Sequence, residues 1–149
     1  ANETEAAVFA ETLWSQTIES QEGETVPAEE LKQTVFTRFT SSERSVYPLM
    51  VEKLGAAGAR CWQNGRCTFV PAVPVRAPLD ATGAGDTFAG AFLTGRLRGY
   101  PPEECLKYGN AAARLVLDLP GTGFAPGSFS GFTADFLKYN FPPVKSMLQ

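Results

Sequence analysis

The residues best suited to chemistry form one short run from Asp80 to Asp86, which reads Asp-Ala-Thr-Gly-Ala-Gly-Asp. Two glycines and several small residues come directly before a predicted helix. Such a turn lets successive backbone N–H groups point into one concavity that binds anions, and the helix start adds a positive dipole end. A phosphoryl group in transfer spreads negative charge over its oxygens, so donors already in place stabilise it. The run therefore predicts a site for a phosphate-like anion.

The second aspartate, Asp86, stands at the edge of this turn. A bound phosphate would repel its carboxylate, so an acid at this position needs a functional reason. Accepting the proton of an attacking alcohol would be such a reason. The sequence has no histidine to compete for the role, which also excludes Ser-His and Cys-His catalytic pairs and His-containing zinc sites. A simpler interpretation stays open, in which Asp86 only caps a glycine-rich helix entry. Gly90 and Gly95 each cost about 1 kcal/mol inside a helix, which favours close packing of that helix.

Apolar periodicity in the first third of the chain predicts two helices and then a strand. The first helix is expected from 2 to about 20. Pro27 opens the second helix, which ends at 41–43. A strand is expected within 45–54, but Pro48 lacks a backbone donor and confines regular pairing to the residues that follow it.

The rest of the chain continues an α/β pattern with fewer strands than helices. A glycine-bounded break at 54–58 precedes a hairpin within 59–71, whose two-residue turn is Asn64-Gly65. Three further helices are expected: one over 85–98 with apolar stripes Phe88/Phe92 and Ala89/Leu93/Leu97, one from Pro101, and one over 132–139.

Composition places the chain among ordinary globular proteins. It has 149 residues, a net charge of -3 and 44% hydrophobic residues. No stretch approaches the roughly 20 apolar residues of a membrane helix, and the acidic start shows no secretory signal. Basic residues after Glu43 are scattered singly, which suits an anionic small ligand and argues against nucleic acid. The first residue is Ala, not Met, which indicates a fragment.

The three cysteines are expected to be buried small side chains. Cys61 and Cys67 flank the hairpin turn at positions that place the two thiols on opposite faces of the hairpin, so no disulfide is expected between them. Free thiols indicate a reducing compartment. The cytoplasm is therefore the predicted location, with no membrane partner.

Residues 80–97, DATGAGDTFAGAFLTGRL, resemble the second signature of the ribokinase-like (PfkB) family of carbohydrate and nucleoside kinases. Three more landmarks follow the family's order. Residues 2–5 resemble its NxxE motif, residues 53–58 resemble its strand-end loop beside the nucleotide, and Asn110 followed by Gly121 resembles its late helix and loop beside adenine. Four ordered landmarks are far more specific than any one of them.

The resemblance implies an α/β, three-layer ribokinase-like fold. Residues 1–149 would be its C-terminal nucleotide-binding and catalytic part, with a partial central sheet flanked by helices. The N-terminal part, where the family keeps most substrate contacts and a small lid, would be absent. An unpaired strand edge left in this way tends to pair with another chain, so self-association is expected.

The resemblance also implies roles at the anion site. Asp86 would be the general base, and the amides of Gly83, Ala84, Gly85 and Asp86 would form the anion hole. A potassium ion would lie behind it, held by Asp80, the carbonyl of Thr82 and carbonyls within 116–121. The family usually has Thr where this chain has Ala81, which weakens the potassium prediction.

Elsewhere the resemblance implies residues for ATP and Mg²⁺. Asn2 and Glu5 would organise magnesium and phosphates through water, or only cap a helix. Lys53, Gly55 and Gly58 would line the nucleotide, although the Lys53 side chain has an alternative as a solvated strand-end charge. Asn110 would lie close to the base, or be a surface amide.

The function implied is ATP-dependent transfer of the γ-phosphoryl group to a hydroxyl of a sugar. A nucleoside acceptor is the first alternative, because the segment NETEAAVFA resembles the adenosine-kinase branch while KLGAAGA with its hairpin resembles sugar kinases. A second alternative is a nucleotide-binding fragment without catalysis, and the 149 residues alone are expected to be inactive. A third alternative is that the chain is a purely structural or interaction domain.

Overall fold

The computed structural model describes residues 2–17, 26–41 and 48–121 of the chain. Its helices and strands, in chain order, are α1 (Glu3–Thr17), α2 (Ala28–Thr40), β1 (Leu49–Lys53), β2 (Gly58–Gln63), β3 (Arg66–Pro71), α3 (Ala84–Leu97) and α4 (Pro102–Val116). A 3₁₀ turn, Gly55–Ala57, lies between β1 and β2. The helix predicted over 132–139 lies outside the described residues. The other predicted elements are present within a few residues of their expected bounds.

The chain divides into two compact units. The first is Ala1–Gly55 with Ala59–Phe69, and the second is Ala56–Gly58 with Val70–Gln149. Among the described residues, no helix is long and apolar enough to cross a membrane.

The core of the first unit lies where the apolar faces of α1 and α2 meet Trp62 of β2. The Trp62 side chain is completely buried, and its ring meets the Phe36 ring edge-on at a centroid distance of 4.8 Å. Edge-to-face aromatic pairs of this kind contribute beyond their buried area. The helices contribute the remaining buried members: Ala6, Ala10, Leu13, Leu31 and Val35.

The sheet has the order β1-β2-β3. β1 pairs antiparallel with β2 from Leu49 opposite Gln63 to Lys53 opposite Ala59, so pairing begins directly after Pro48, as predicted. In the turn between β2 and β3, Asn64 has φ 52° and Gly65 has φ 71°. Positive φ at both central residues is the type I′ geometry that the Asn-Gly pair predicts.

The second unit contains α3 and α4, which pack through glycines. A Cβ at Gly95 of α3 would lie 3.0 Å from the Cys105 sulfur of α4, and a Cβ at Gly109 would lie 2.6 Å from the Phe88 ring. The close packing predicted for Gly95 is therefore confirmed. The same prediction is wrong for Gly90 as far as the described part of the chain goes, because a Cβ there would meet none of its atoms within 4 Å.

Two other predictions need correction in the structure. The stripe Phe88/Phe92 is buried, but Leu93 and Leu97 of the second stripe are 58% and 85% exposed, because α3 turns only one face toward α4. All three cysteines are free, as predicted, but Cys67 is exposed. Alternation along the hairpin sends Cys61 to the buried face and Cys67 to the other.

Candidate active site

The anion turn, residues 80–86, is held at its start by hydrogen bonds to the residues that follow α4. The amide of Leu79 donates to the carbonyl of Leu117 at 2.7 Å, and the Asp80 carboxylate accepts from the Gly121 amide at 2.9 Å. These bonds join residues 79–80 to residues 117–121. The first residue of the turn is therefore fixed in place before α3 begins.

Within the turn, the Asp80 carboxylate accepts two hydrogen bonds from Thr82, two residues further along the chain. Its Oδ1 accepts from the Thr82 hydroxyl at 2.6 Å and from the Thr82 amide at 2.8 Å. The Thr82 hydroxyl, the Thr82 amide and the Gly121 amide together lower the pKa of Asp80 below its ordinary value. Three donors thus face the two Asp80 carboxylate oxygens, the group that the family resemblance assigns to potassium. The potassium site stays a prediction.

The first helical residues leave several backbone donors unused. Gly83 caps α3 with φ 80°, a left-handed conformation that favours glycine. The Ala84 amide donates to the Ala81 carbonyl at 3.2 Å, so one of the four amides predicted for the anion hole is already engaged. No acceptor among the described residues takes a hydrogen bond from the amides of Gly83, Gly85 or Asp86.

Asp86 lies in the first turn of α3 with its side chain exposed. Its carboxylate receives no hydrogen bond from the residues that the structure describes. The carboxylate can therefore accept a hydrogen bond without first losing a donor among the described residues. Unused amides beside an accessible carboxylate can hold an anion and accept a proton at one place.

One residue missed by the sequence analysis supports this helix start. The amide and the hydroxyl of Thr87 both donate to the carbonyl of Gly83, each at 2.9 Å. The two bonds fix the residue at which the backbone turns into α3. A threonine four residues after a capping glycine is the signal that could have indicated it.

Asn110 and Gly58 both contact the end of β3, within the second unit. The Asn110 side-chain amide donates to the carbonyls of Val70 at 3.1 Å and Pro71 at 2.9 Å. A Cβ at Gly58 would lie 2.2 Å from that same Val70 oxygen. Asn110 is 7% exposed, so it is not a surface amide.

The remaining candidates lie in the first unit. Asn2 and Glu5 cap α1 reciprocally: the Glu5 amide donates to Asn2 Oδ1, and the Asn2 amide donates to Glu5 Oε2, both at 2.9 Å. Asn2 also forms a parallel bridge with Lys53 at the carboxyl end of β1. Gly55 follows with φ 56°. The structure thus brings Asn2, Glu5 and Lys53 together at one strand end.

The family pattern described as pfkB family carbohydrate kinase matches residues 5–127. The chain belongs to this family. Over 71 residues it is 51% identical to the cytidine kinase of Thermococcus kodakarensis, which covers 46% of this chain and 25% of that protein. Over 73 residues it is 38% identical to the ribokinase of Arabidopsis thaliana, covering 46% of this chain and 18% of that protein. The matched regions thus span a quarter or less of these relatives.

Solved structures confirm the ribokinase-like fold. The adenosine kinase of Sinorhizobium meliloti superposes with a TM-score of 0.59 at 26% identity, covering 87% of this chain and 40% of that one. A ribokinase-like protein of Escherichia coli, solved in complex with ATP and Mg²⁺, superposes with a TM-score of 0.62 at 20% identity. That match covers 92% of this chain and 38% of the other.

Proposed function

We propose that this chain carries the catalytic part of an ATP-dependent kinase that transfers the γ-phosphoryl group to a hydroxyl of a sugar. One observation carries the proposal: the unused amides of Gly83, Gly85 and Asp86 lie at a helix start beside the exposed Asp86 carboxylate. Membership in the PfkB carbohydrate kinase family supports the reaction class.

In this proposal Asp86 accepts the proton of the acceptor hydroxyl as that oxygen attacks phosphorus. The carboxylate is accessible and has no hydrogen-bond donor among the described residues, so it is available to act as a base. The attack is direct and in line, with no covalent enzyme intermediate. A positioned base of this kind contributes about 100- to 10,000-fold to rate.

The amides at the start of α3 stabilise the charge that develops on the phosphoryl oxygens. They need no rearrangement, because Gly83 already holds the left-handed conformation and Thr87 fixes its carbonyl. The positive end of the helix dipole adds to this stabilisation. Ala84 contributes less than the sequence implies, since its amide bonds to Ala81.

The residues present also fit ATP and magnesium. Mg²⁺ keeps several waters and uses one or two carboxylates together with substrate phosphates, and when bound it neutralises phosphate charge. Among the described residues no cluster of three or more acidic, His or Cys side chains could hold a metal ion. Glu5 with Asn2 would supply the protein part of a magnesium site, and Lys53 and Gly55 would border the nucleotide.

A nucleoside is the second candidate acceptor. Of the two curated relatives described above, the T. kodakarensis protein, named a cytidine kinase, has the higher identity, whereas the A. thaliana protein is named a ribokinase. Initial rates over a panel of sugars and nucleosides distinguish these acceptors.

The proposal is tested by Asp86→Asn in the complete polypeptide that contains these residues. We expect turnover to fall by about 100- to 10,000-fold while ATP affinity, measured by calorimetry, is retained. Asp118→Asn is the matched control, because Asp118 is an exposed aspartate of the same unit that pairs with Arg114 at 2.5 Å. Near-normal turnover of the Asp86 variant would exclude it as the base.

Two further properties follow from sequence and belong to the same proposal. We expect the protein in the cytoplasm, since its cysteines are free.

We also expect the 149 residues alone to self-associate, because β1 and β3 are the outer strands of the described sheet. Light scattering that reports a monomer at high concentration would contradict the second expectation.

A further inference from the structure

Asn110 uses both hydrogens of its side-chain amide on backbone carbonyls. Its Nδ2 donates to Val70 at 3.1 Å and to Pro71 at 2.9 Å, and the side chain is almost completely buried. A primary amide has two N–H donors and one acceptor oxygen, so both donors are engaged here and a ligand could bond only to Oδ1. The side chain thus connects α4 to the last two residues of β3.

The segment 56–58 rests on the same strand end. The Ala72 amide donates to the Ala57 carbonyl at 3.2 Å. Gly58 has φ +122°, and a Cβ there would lie 2.2 Å from the Val70 oxygen and 2.6 Å from the Ala72 nitrogen. The backbones of 56–58 and 70–72 are therefore in direct contact, so a displacement of one strains the other.

The same turn of α4 also touches the helix of the anion turn. Gly109, which precedes Asn110, is buried against Phe88, where a Cβ would lie 2.6 Å from the ring. Phe88 itself is 4% exposed and follows Asp86 by two residues. One turn of α4 therefore contacts the first turns of α3 on one side and the end of β3 on the other.

We propose that Asn110 is a positioning residue, which fixes the segment 56–58 relative to the anion turn by holding the carbonyls of Val70 and Pro71. It acts through the strand end and not by contact with the adenine base. The inference rests on the proposed kinase function, and it assigns Asn110 a role different from the one that the family resemblance implies. Misplacement of reacting groups by about 1 Å costs on the order of 100-fold in rate.

The test compares Asn110→Asp with Asn110→Ser in the complete polypeptide. Asp has nearly the same shape as Asn but sets a carboxylate against two carbonyl oxygens, whereas Ser retains one donor and keeps the variant testable if the Asp protein does not fold. We expect kcat at saturating nucleotide to fall about 10- to 100-fold for Asp and less for Ser. The loss should be equal with ATP and with inosine triphosphate, because the base is not contacted.

Gly58→Ala provides the second arm, since its added Cβ would lie 2.2 Å from the Val70 oxygen and so displace the same segment. If both residues act through one element, the double variant Asn110→Ser with Gly58→Ala should be about as slow as the slower single variant. Cys105→Ala is the control for stability alone, because Cys105 is fully buried on α4 against Gly95. Its kcat should be unchanged although its melting temperature falls.

The outcomes separate this inference from the proposed function. A loss confined to ATP, multiplicative losses in the double variant, or a kcat no lower than that of Cys105→Ala would each overturn the positioning role. Full turnover of Asp86→Asn would instead overturn the proposed catalytic role of Asp86, whatever Asn110 does.

Discussion

Lys32 of α2 and Glu52 of β1 form an ion pair inside the first unit, with Nζ 2.8 Å from Oε1 and each residue 1% exposed. Two further charged residues, Arg60 and Glu29, complete a ring of four ion pairs with them. Arg60 of β2 bonds to Glu52 at 2.5 Å and to Glu29 at 2.6 Å, and Glu29 also pairs with Lys32. Burial alone would lower the pKa of Lys32, but Glu29 and Glu52 outweigh it and raise that pKa above its ordinary value.

The first prediction is that breaking this ring strongly destabilises the protein. Lys32→Met removes the buried cation and leaves Glu52 with Arg60 alone, and loss of one partner from a buried pair costs about 3–5 kcal/mol. Urea-induced unfolding measures the change. Lys107→Met is the control, because Lys107 pairs with Glu103 at 2.9 Å on the surface of α4, where such pairs contribute about 1 kcal/mol or less. Equal effects of the two substitutions would contradict the prediction.

Local signals in the sequence were enough to predict the hairpin and the start of the sheet. Asn64-Gly65 fixes the turn type through its positive φ values, and Pro48 fixes where β1 begins through its missing donor. The anion turn was equally visible, since glycines before a helix determine its backbone. These features depend on residues close together in the chain, which sequence reasoning handles well.

Features that depend on distant residues could not be predicted. Glu52 finds Lys32 at a separation of 20 residues, and Asn110 finds Pro71 at 39. Contacts over such separations produce no periodic pattern in the sequence from which they could be predicted. Leu97 was expected in an apolar stripe, but only the packing partner of a helix decides which stripe is covered. The same reason explains why the sequence did not reveal the hydrogen bonds from Asn110 to the end of β3.

Two glycines in the same pair of helices should respond oppositely to alanine. Gly109→Ala would set a methyl group 2.6 Å from the buried Phe88 ring, and overpacking of this kind costs about 1–3 kcal/mol. Gly90→Ala, in α3, meets no atom of the described segments within 4 Å and should stabilise the protein by up to about 1 kcal/mol. Thermal unfolding of both variants checks the pair. A stabilised Gly109 variant would show that the contact with Phe88 is loose.

The lowered pKa of Asp80 predicts a pH dependence for the anion turn. A carboxylate whose pKa is lower in the folded state stabilises that state above the unfolded value, here about 3.8, and loses this contribution as pH falls through the folded value. We therefore expect exchange of the Thr82 and Gly121 amide hydrogens to accelerate, relative to the rest of the protein, only below about pH 4.

Asp80→Asn should produce the same loosening at neutral pH. The oxygen facing Thr82 can be kept, but the new amide nitrogen then faces the Gly121 amide, and two donors cannot bond to each other. Hydrogen exchange at pH 7 should therefore be faster at Gly121 than at Thr82. Unchanged protection of Gly121 would show that its bond to Asp80 does not hold the turn.

We predict that the proposed anion site depends on the left-handed backbone of Gly83, and a second glycine provides the comparison. Gly83 and Gly99 have nearly the same left-handed conformation, φ 80° and 78°, at the two ends of α3. Alanine in that conformation costs about 1–2 kcal/mol at either position, so the two variants should be destabilised alike. Only Gly83→Ala should reduce turnover, by about 100-fold, because relieving its strain redirects the amides that follow. Steady-state kinetics with calorimetric ATP binding measures this difference, and equal turnover of the two variants would mean that the amides after Gly83 do not hold the transferring group.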